Sequence, residues 1–365
     1  MLRLNHIKVT NYKNYSFAAF DFPENVVGIC GLNGIGKTNL LDAIYYCCFT
    51  KSYFSSADAQ NIKQETEGFR IQADFIRDEK PANIICINRG GNKKEFSING
   101  IAYTKFSKHI GYLPVVMIAP DDTELITGLS ETRRRFIDTL LSQADADYLQ
   151  NLINYNKILS QRNSLLKNFE LHKEANTLID ILNEQLYEPA AYIYKKRTIL
   201  LNQMIPIVNK FYDLISSNTE SIRIEYISQL HHADFATLIN TSLNQDIILQ
   251  RTSVGIHKDD IAFHLNSSPF RQVASQGQRK SLLFALKLCE YELIQEYTGL
   301  APLLLLDDVF EKLDDNRMQN LLNWVGTCNS SQVFITDTHQ QRLRNAFAQM
   351  KIQTTIIELN ANVGK

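Results

Sequence analysis

An α/β fold with an inserted helical lobe is the class this 365-residue sequence predicts, and three observations predict it. Residues Gly31-Leu32-Asn33-Gly34-Ile35-Gly36-Lys37-Thr38 form a glycine-rich loop, preceded by the apolar run 26–30 and followed by the helical pattern 39–44. Strand, loop and helix in that order are the setting such a loop needs. A second run, Leu303-Leu304-Leu305-Leu306, is apolar throughout, as a strand covered on both faces of a parallel sheet would be. Between the two, from Glu131 to about Ser217, the apolar period becomes helical. The two apolar strands belong in one sheet, so the helical stretch is an insertion. The expected division is 1–130 and 218–365 for one lobe and 131–217 for the other.

The elements follow in chain order. Residues 4–9, 15–22 and 26–30 read as strands, and Phe69 to Phe75 alternates cleanly between apolar and polar. Segments 84–88 and 95–98 look like partners joined through Gly90-Gly91-Asn92, and Asn99-Gly100 is a strong hairpin signal. Residues 115–118 form a short buried strand. In the helical stretch, Ile137, Leu141, Ala144, Tyr148, Leu152, Tyr155 and Leu159 make one stripe. Ile179, Leu182, Leu186, Ala190, Ile193, Leu201, Met204 and Val208 make another, which Pro189 and Pro206 should interrupt or kink. Helices of about 40 residues would each span about 60 Å if straight, so the stretch reads as a compact lobe rather than a coiled-coil arm. Strand signals return at 221–227, 261–265, 303–306, 333–336 and 355–358.

Bulk properties set the class without choosing a partner. The chain is 44% hydrophobic and 21% charged, with Lys+Arg 38 against Asp+Glu 39 and a net charge of -1. A nucleic-acid surface would therefore have to be a local basic patch. The first residues, Met1-Leu2-Arg3-Leu4-Asn5-His6, do not make a signal peptide, and no apolar run approaches a membrane span. A cytoplasmic protein is expected. Cys30, Cys47, Cys48, Cys86, Cys289 and Cys328 make no C-x-x-C pair and read as buried reduced thiols, with no metal site among them.

The glycine loop is G-x-x-x-x-G-K-[ST] without deviation, which is the Walker A loop of ATP-binding proteins. Its glycines let backbone N–H groups of residues 31–36 approach a phosphate, and the following helix adds partial positive charge. Lys37 would reach the β- and γ-phosphates and the Thr38 hydroxyl would hold Mg²⁺. Asp307-Asp308, ending the 303–306 strand, has the form of a Walker B pair. Asp307 would reach the same Mg²⁺, and Asp308 would orient or activate water beside the γ-phosphate. Ser275-Gln276-Gly277-Gln278, ahead of a helix, resembles the S-G-G-Q signature of ABC-type ATPases, in which Ser275, Gly277 and Gln278 would cap a γ-phosphate. Leu313-Asp314 looks like a D-loop, and His339 in Thr336-Asp337-Thr338-His339 like a switch histidine. For the Q-loop, Gln60 and Asp121-Asp122 stay open. Asp308, Lys37, Ser275 and His339 are thus the candidate catalytic set. The fold expected is an ABC-type P-loop ATPase head with an N-terminal antiparallel β-subdomain. In that family the signature faces the Walker A loop of a second subunit, which implies an ATP-dependent homodimer.

Nearly the whole chain resembles the RecF family of bacterial recombination and repair ATPases. Val9-Thr10-Asn11-Tyr12-Lys13-Asn14-Tyr15 matches that family's N-terminal motif, where Lys13 would approach the phosphates. Ile118-Ala119-Pro120-Asp121-Asp122, then Arg133-Arg134-Arg135-Phe136-Ile137-Asp138, look like the stretch that opens the helical lobe. Gly255-Ile256-His257-Lys258-Asp259-Asp260 resembles a G-P-H-R-D-D element, with Ile256 and Lys258 as departures, and Phe54 stands where an Arg is common. Asp307-Asp308 matches the family where most ABC ATPases have Asp-Glu. The resemblance implies a weak, DNA-stimulated ATPase that acts as a switch. It would dimerise on ATP, bind gaps and junctions in DNA, help load recombinase with RecO and RecR, and support replication restart and the SOS response. Arg133, Arg134 and Arg135, with Lys105 and Lys108, are the DNA-binding candidates. Contacts to phosphate with little sequence preference are expected. A longer SMC-like repair or defence ATPase would bring coiled coils or a zinc hook, a transporter subunit L-S-G-G-Q with Asp-Glu, and a small-molecule kinase neither signature nor switch histidine.

Overall fold

The computed structural model describes the chain except residues 91–93, 172–173, 217–221, 310–314, 328–330, 351–352 and 361–365, and at 171, 315, 349 and 350 the backbone alone. The expected D-loop at Leu313-Asp314 and the thiol of Cys328 lie outside the described residues. Strands β1 (Leu2–Tyr12), β2 (Tyr15–Asp21) and β3 (Val26–Cys30) lead into helix α1 (Lys37–Phe49). Strands β4 (Phe69–Arg77), β5 (Lys80–Asn88), β6 (Lys94–Ile98), β7 (Ile101–Ala102) and β8 (Val115–Ile118) follow. Helices α2 (Glu124–Thr127), α3 (Ser130–Ala144), α4 (Ala146–Lys167) and α5 (Ala175–Ser216) come next. Then come β9 (Ile222–Ile227), α6 (Phe235–Thr241), α7 (Leu243–Leu249), β10 (Asp260–Leu265), β11 (Ser268–Pro269) and α8 (Phe270–Val273). Helix α9 (Gln276–Thr298), β12 (Leu303–Leu306), α10 (Asp315–Thr327), β13 (Val333–Asp337), α11 (Gln340–Met350) and β14 (Thr354–Glu358) complete the order.

The chain divides into two compact units, one of 1–122, 211–218 and 276–365, the other of 123–210 and 219–275. In the first, a six-stranded antiparallel sheet runs β2-β1-β4-β5-β6-β7, and a five-stranded sheet runs β14-β3-β13-β12-β8 with parallel pairings throughout. Phe69, Ile71, Ala73 and Phe75 fill one face of β4 and are buried, whereas all four leucines of β12 are buried because the strand has neighbours on both edges and cover on both faces. Beside the bulge at Leu4/His6, the buried Gln332 side chain accepts from the Leu4 N–H at 2.7 Å and donates to the Leu4 carbonyl at 3.0 Å. That contact ties the antiparallel sheet to the segment entering β13. Asn99 and Gly100 have φ of 49° and 79°, the left-handed pair that a tight hairpin turn requires. As expected, the Walker A strand β3 and the Leu303 strand β12 share a sheet, with β13 between them.

The second unit holds the expected helical stripes, with Ile137, Leu141, Tyr148 and Tyr155 buried on α3 and α4. Two sequence expectations are corrected here. Pro189 and Pro206 do not interrupt α5, which runs 42 residues through both. Leu186, Ala190, Ile193, Met204 and Val208 are buried on either side of them, and that continuous apolar stripe outweighs one lost backbone bond per proline. After a brief return over 211–218 the chain re-enters the first unit for good at 276, not 218, because the three-stranded sheet β11-β10-β9 belongs with the helices. Arg197 explains why: its guanidinium binds the Asp138 carboxylate on α3 at 2.9 Å and the Asp259 carboxylate ahead of β10 at 3.0 Å.

Candidate nucleotide-binding site

The glycine loop joins β3 to α1 within the parallel sheet. Gly34 and Gly36 have φ of 76° and 120°, and a Cβ on Gly36 would meet the Tyr15 hydroxyl at 2.7 Å and the Asn14 amide at 2.8 Å. Those two side chains back the loop: Asn14 Nδ2 donates to the Ile35 carbonyl at 2.9 Å and Tyr15 OH to the Gly36 carbonyl at 3.0 Å. Burial pushes the Tyr15 phenol above its ordinary range, so it stays a donor. Asn39 completes the brace by donating to Asn14 at 2.7 Å. Asn14 and Tyr15 lie in the 9–15 motif, and the sequence alone does not show that they brace the loop.

Lys37 is buried, and its ammonium donates to the carbonyls of Gly31 and Leu32 at 2.9 and 3.2 Å, so it spans the mouth of its own loop. Leu32, Asn33 and Gly34 are exposed at the loop's tip. The Thr38 hydroxyl meets both oxygens of the Asp307 carboxylate, at 3.0 and 2.9 Å. The Walker A and Walker B residues are thus brought together as expected, across 269 positions of chain. Asp307 directly follows β12, and its N–H is held by the Ile118 carbonyl of β8 at 2.8 Å. Burial pushes its carboxyl up to about 6, with the Asp308 charge adding to the rise, while the Thr336 and Thr38 hydroxyls and the Lys37 ammonium oppose it. Asp308 has a left-handed φ of 46° and donates its N–H to the Thr336 hydroxyl at 2.8 Å. A hydroxyl and a carboxylate in contact are hard oxygen donors of the kind Mg²⁺ takes alongside phosphate oxygens.

His339 is exposed just ahead of α11, and its N–H donates to the Asp337 carboxylate at 2.8 Å. Arg342 clamps that carboxylate with two bonds of 2.6 Å, and the Gly31 N–H reaches the Asp337 carbonyl at 3.4 Å. The loop carrying His339 is therefore anchored at the start of the glycine loop. Ser275 is exposed immediately before α9, and Gly277 lies in its first turn with Gln278 half-buried. A Cβ on Gly277 would collide with Arg317 Nη1, so the near neighbour of the signature glycine is that guanidinium, not the glycine loop of the same chain.

Three expected contacts are corrected. Lys13 is taken up by an ion pair: its ammonium lies 2.6 Å from the carboxylate of Asp42, a fully buried residue of α1. Asp42 also accepts from Tyr12 OH at 2.6 Å, Ser52 OH at 2.8 Å and the Tyr53 N–H at 2.7 Å. The ring of Phe54, which stands where an Arg was noted as common, faces the Lys13 ammonium at 5.2 Å. Arg133 is not a free basic residue, since it grips Asp260 with two bonds at 2.6 and 3.0 Å and donates to the Gly128 carbonyl at 2.9 Å. Arg134 donates to the Asp259 carbonyl at 2.6 Å. Arg135, Lys105 and Lys108 are exposed.

Within the second unit, the 255–260 element buries Gly255, Ile256 and Asp259 and leaves Lys258 exposed. His257 accepts from Tyr155 OH at 2.7 Å, its other ring nitrogen lies 3.2 Å from the Thr252 carbonyl, and burial pushes it down to about 4, so it is neutral. Of the open Q-loop candidates, Gln60 is exposed, while Asp122 follows β8 and caps the Ala119 N–H at 2.9 Å.

The family model described as "RecF/RecN/SMC N terminal domain" matches residues 3–358. The chain is 44% identical over 342 residues to the DNA replication and repair protein RecF of Flavobacterium johnsoniae, covering 93% of this chain and 95% of that one. It is 40% identical over 340 residues to the RecF of Cytophaga hutchinsonii, covering 93% and 90%. Among solved structures, it is similar to the recombination mediator protein RecF bound to ATP, with a TM-score of 0.87, 31% identity and coverage of 93% and 92%. The Smc head domain of Pyrococcus furiosus shares the fold, with a TM-score of 0.57 at 15% identity over 100% of this chain and 95% of that one.

Proposed function

The chain belongs to the RecF family of DNA replication and repair proteins, and from that premise we propose that it is an ATP-driven DNA-binding switch of recombinational repair and replication restart. The observation that carries the reading is the contact between Thr38 and Asp307, which joins a Walker A helix to a Walker B strand at one point of the parallel sheet. A bound triphosphate takes over the contacts that Lys37 makes with the loop carbonyls, and the amides of residues 31–36 turn to its phosphates. Mg²⁺, held by Thr38 and Asp307, would neutralise charge on the β- and γ-phosphates. Asp308 orients the attacking water, and His339 stands beside the γ-phosphate on the loop anchored by Asp337.

Ser275 and the first amides of α9 close on the γ-phosphate from a second copy of the chain, so ATP makes a homodimer and slow hydrolysis releases it. The RecF–ATP structure of a recombination mediator supports ATP as the nucleotide. The dimer acts in the cytoplasm, binds DNA at gaps and junctions through phosphate contacts, and helps RecO and RecR load recombinase, which supports the SOS response. For the DNA surface we keep Arg135, Lys105 and Lys108, and we assign Arg133 and Arg134 to structure. Among the described residues no helix is long and apolar enough to cross a membrane.

Lys37→Met tests the reading at its base. The variant removes the ammonium that faces phosphate and should lose ATP binding, and with it ATP-stimulated DNA binding, while melting near the wild-type temperature. Wild-type ATP affinity in the folded variant would sink the assignment of the loop.

A further inference from the structure

Thr336 is the penultimate residue of β13, is fully buried, and touches both residues of the Walker B pair. Its hydroxyl donates to Asp307 Oδ1 at 2.8 Å and accepts the Asp308 N–H at 2.8 Å. Asp308 Oδ1 lies 3.5 Å away, too far to compete for the single hydroxyl hydrogen. The hydroxyl therefore stands in a directed chain, from the Asp308 amide through Thr336 to the Asp307 carboxylate. The Thr38 hydroxyl of the Walker A helix meets that carboxylate from the other direction. Chains of this kind polarise each member and fix its orientation.

We propose that Thr336 is a positioning residue for ATP hydrolysis, whose one hydroxyl fixes Oδ1 of the Asp307 carboxylate, both of whose oxygens face Thr38, and the backbone turn that carries Asp308. The proposal rests on the reading of Asp307 and Asp308 as the Walker B pair. Two features of the geometry carry it. Asp308 sits at a left-handed φ of 46°, a conformation that a residue with a Cβ keeps only where its surroundings hold it, and the bond from its N–H to Thr336 is such a hold. Asp307 Oδ1 is shared by two hydroxyls from different elements, Thr38 on α1 and Thr336 on β13. Rotation that carried Oδ1 away would therefore break a bond to each element and leave Thr38 only its 2.9 Å contact with Oδ2.

The alternative role for a buried threonine in a central strand is that of a β-branched filler. Valine fills the same shape and removes only the hydroxyl, so Thr336→Val separates the two. Thr336→Ser keeps the hydroxyl and loses the methyl, and Thr336→Ala is its partner if valine unfolds the chain. Each variant is measured for kcat, for KM of ATP, for binding of ATP in EDTA, and for Mn²⁺ binding to the ATP complex by electron paramagnetic resonance. We expect Thr336→Val to lower kcat and weaken Mn²⁺ by about 10- to 100-fold, the range for groups that orient a metal's ligands. ATP binding in EDTA should stay within about 2-fold of wild type, and serine should recover most of both losses. Wild-type kcat and Mn²⁺ affinity in the valine variant would overturn the proposal, as would a folded serine variant as impaired as the alanine one. Asp308→Asn is run beside them: if it too hydrolyses at the wild-type rate, the Walker B reading has failed rather than the role of Thr336.

Discussion

Replacing Lys13 by Met should cost folding stability more than it costs ATP affinity. In the structure the Lys13 ammonium is the one cation found against Asp42 among the described residues, at 2.6 Å, and the Asp42 side chain has no exposed surface. Removing one member of a buried ion pair costs about 3–5 kcal/mol, because the other charge is left in a low dielectric. Asp42 keeps three donors, Tyr12 OH, Ser52 OH and the Tyr53 N–H. Since hydrogen bonds stabilise the charged form, the loss should fall at the lower end, about 3 kcal/mol. Urea unfolding of Lys13→Met, of Asp42→Asn and of the double variant gives the coupling directly, and the double variant should be more stable than Lys13→Met alone. ATP affinity of folded Lys13→Met should change by less than about 3-fold, on the order of 0.6 kcal/mol. A variant as stable as wild type that has lost ATP binding would refute the reasoning and return Lys13 to the phosphates.

Other outcomes follow from the same geometry. Asp308→Asn should bind ATP and accumulate as the ATP-bound dimer, with hydrolysis slowed by about 100-fold or more; undiminished hydrolysis would remove Asp308 from catalysis. Reversing Arg135, Lys105 and Lys108 to Glu should weaken DNA binding on every sequence and flatten its salt dependence, while Arg133→Glu should chiefly destabilise the fold by abandoning Asp260. Unchanged salt slopes in the first set would take the DNA surface elsewhere. His257, pushed from 6.5 down to about 4, stays neutral when folded, whereas the unfolded chain takes up a proton as pH falls below 6.5. Stability is therefore whole above that pH and declines between about 6.5 and 4, by about 2 kcal/mol at pH 5. Denaturation of wild type and His257→Gln across that range checks it, and equal slopes would contradict the buried neutral ring.

Local patterns carried most of the fold. The alternation of Phe69 to Phe75 and the unbroken leucines of β12 were readable because side-chain burial repeats with the strand. The glycine loop and Asp307-Asp308 were readable because their chemistry is packed into a few adjacent residues. What stayed hidden depends on partners distant in sequence. Arg133 and Arg134 show as positive charge, but the Asp260 and Asp259 that absorb them lie 127 and 125 positions away. Lys13 likewise shows as a cation beside a nucleotide motif, while Asp42 is hidden in the middle of an apolar helix. Thr336 and Asp337 were quoted only as the approach to His339, since no spacing rule says that a strand neighbour's hydroxyl will meet the Walker B pair. The unit boundary moved to 276 for the same reason, since the Asp259 that Arg197 binds lies 62 positions further on. The prolines are local signals of a break, whereas the stripe that carries α5 through Pro189 and Pro206 is not local.

In the proposed dimer ATP is held between two copies of the chain, gripped by Lys37 and Thr38 of one and closed by Ser275 and the amides near Gly277 of the other. Sedimentation of wild type and Ser275→Arg, each with ADP, with ATP, and with ATP plus gapped DNA, tests it most directly. A bulky cation at Ser275 fills the space the γ-phosphate needs but leaves the glycine loop of the same chain untouched. Wild type should be a monomer with ADP and a dimer with ATP, and Ser275→Arg should bind ATP and remain a monomer in every condition. A variant that dimerises as wild type does would reduce Ser275 to the residue that precedes α9 and contradict the shared ATP site.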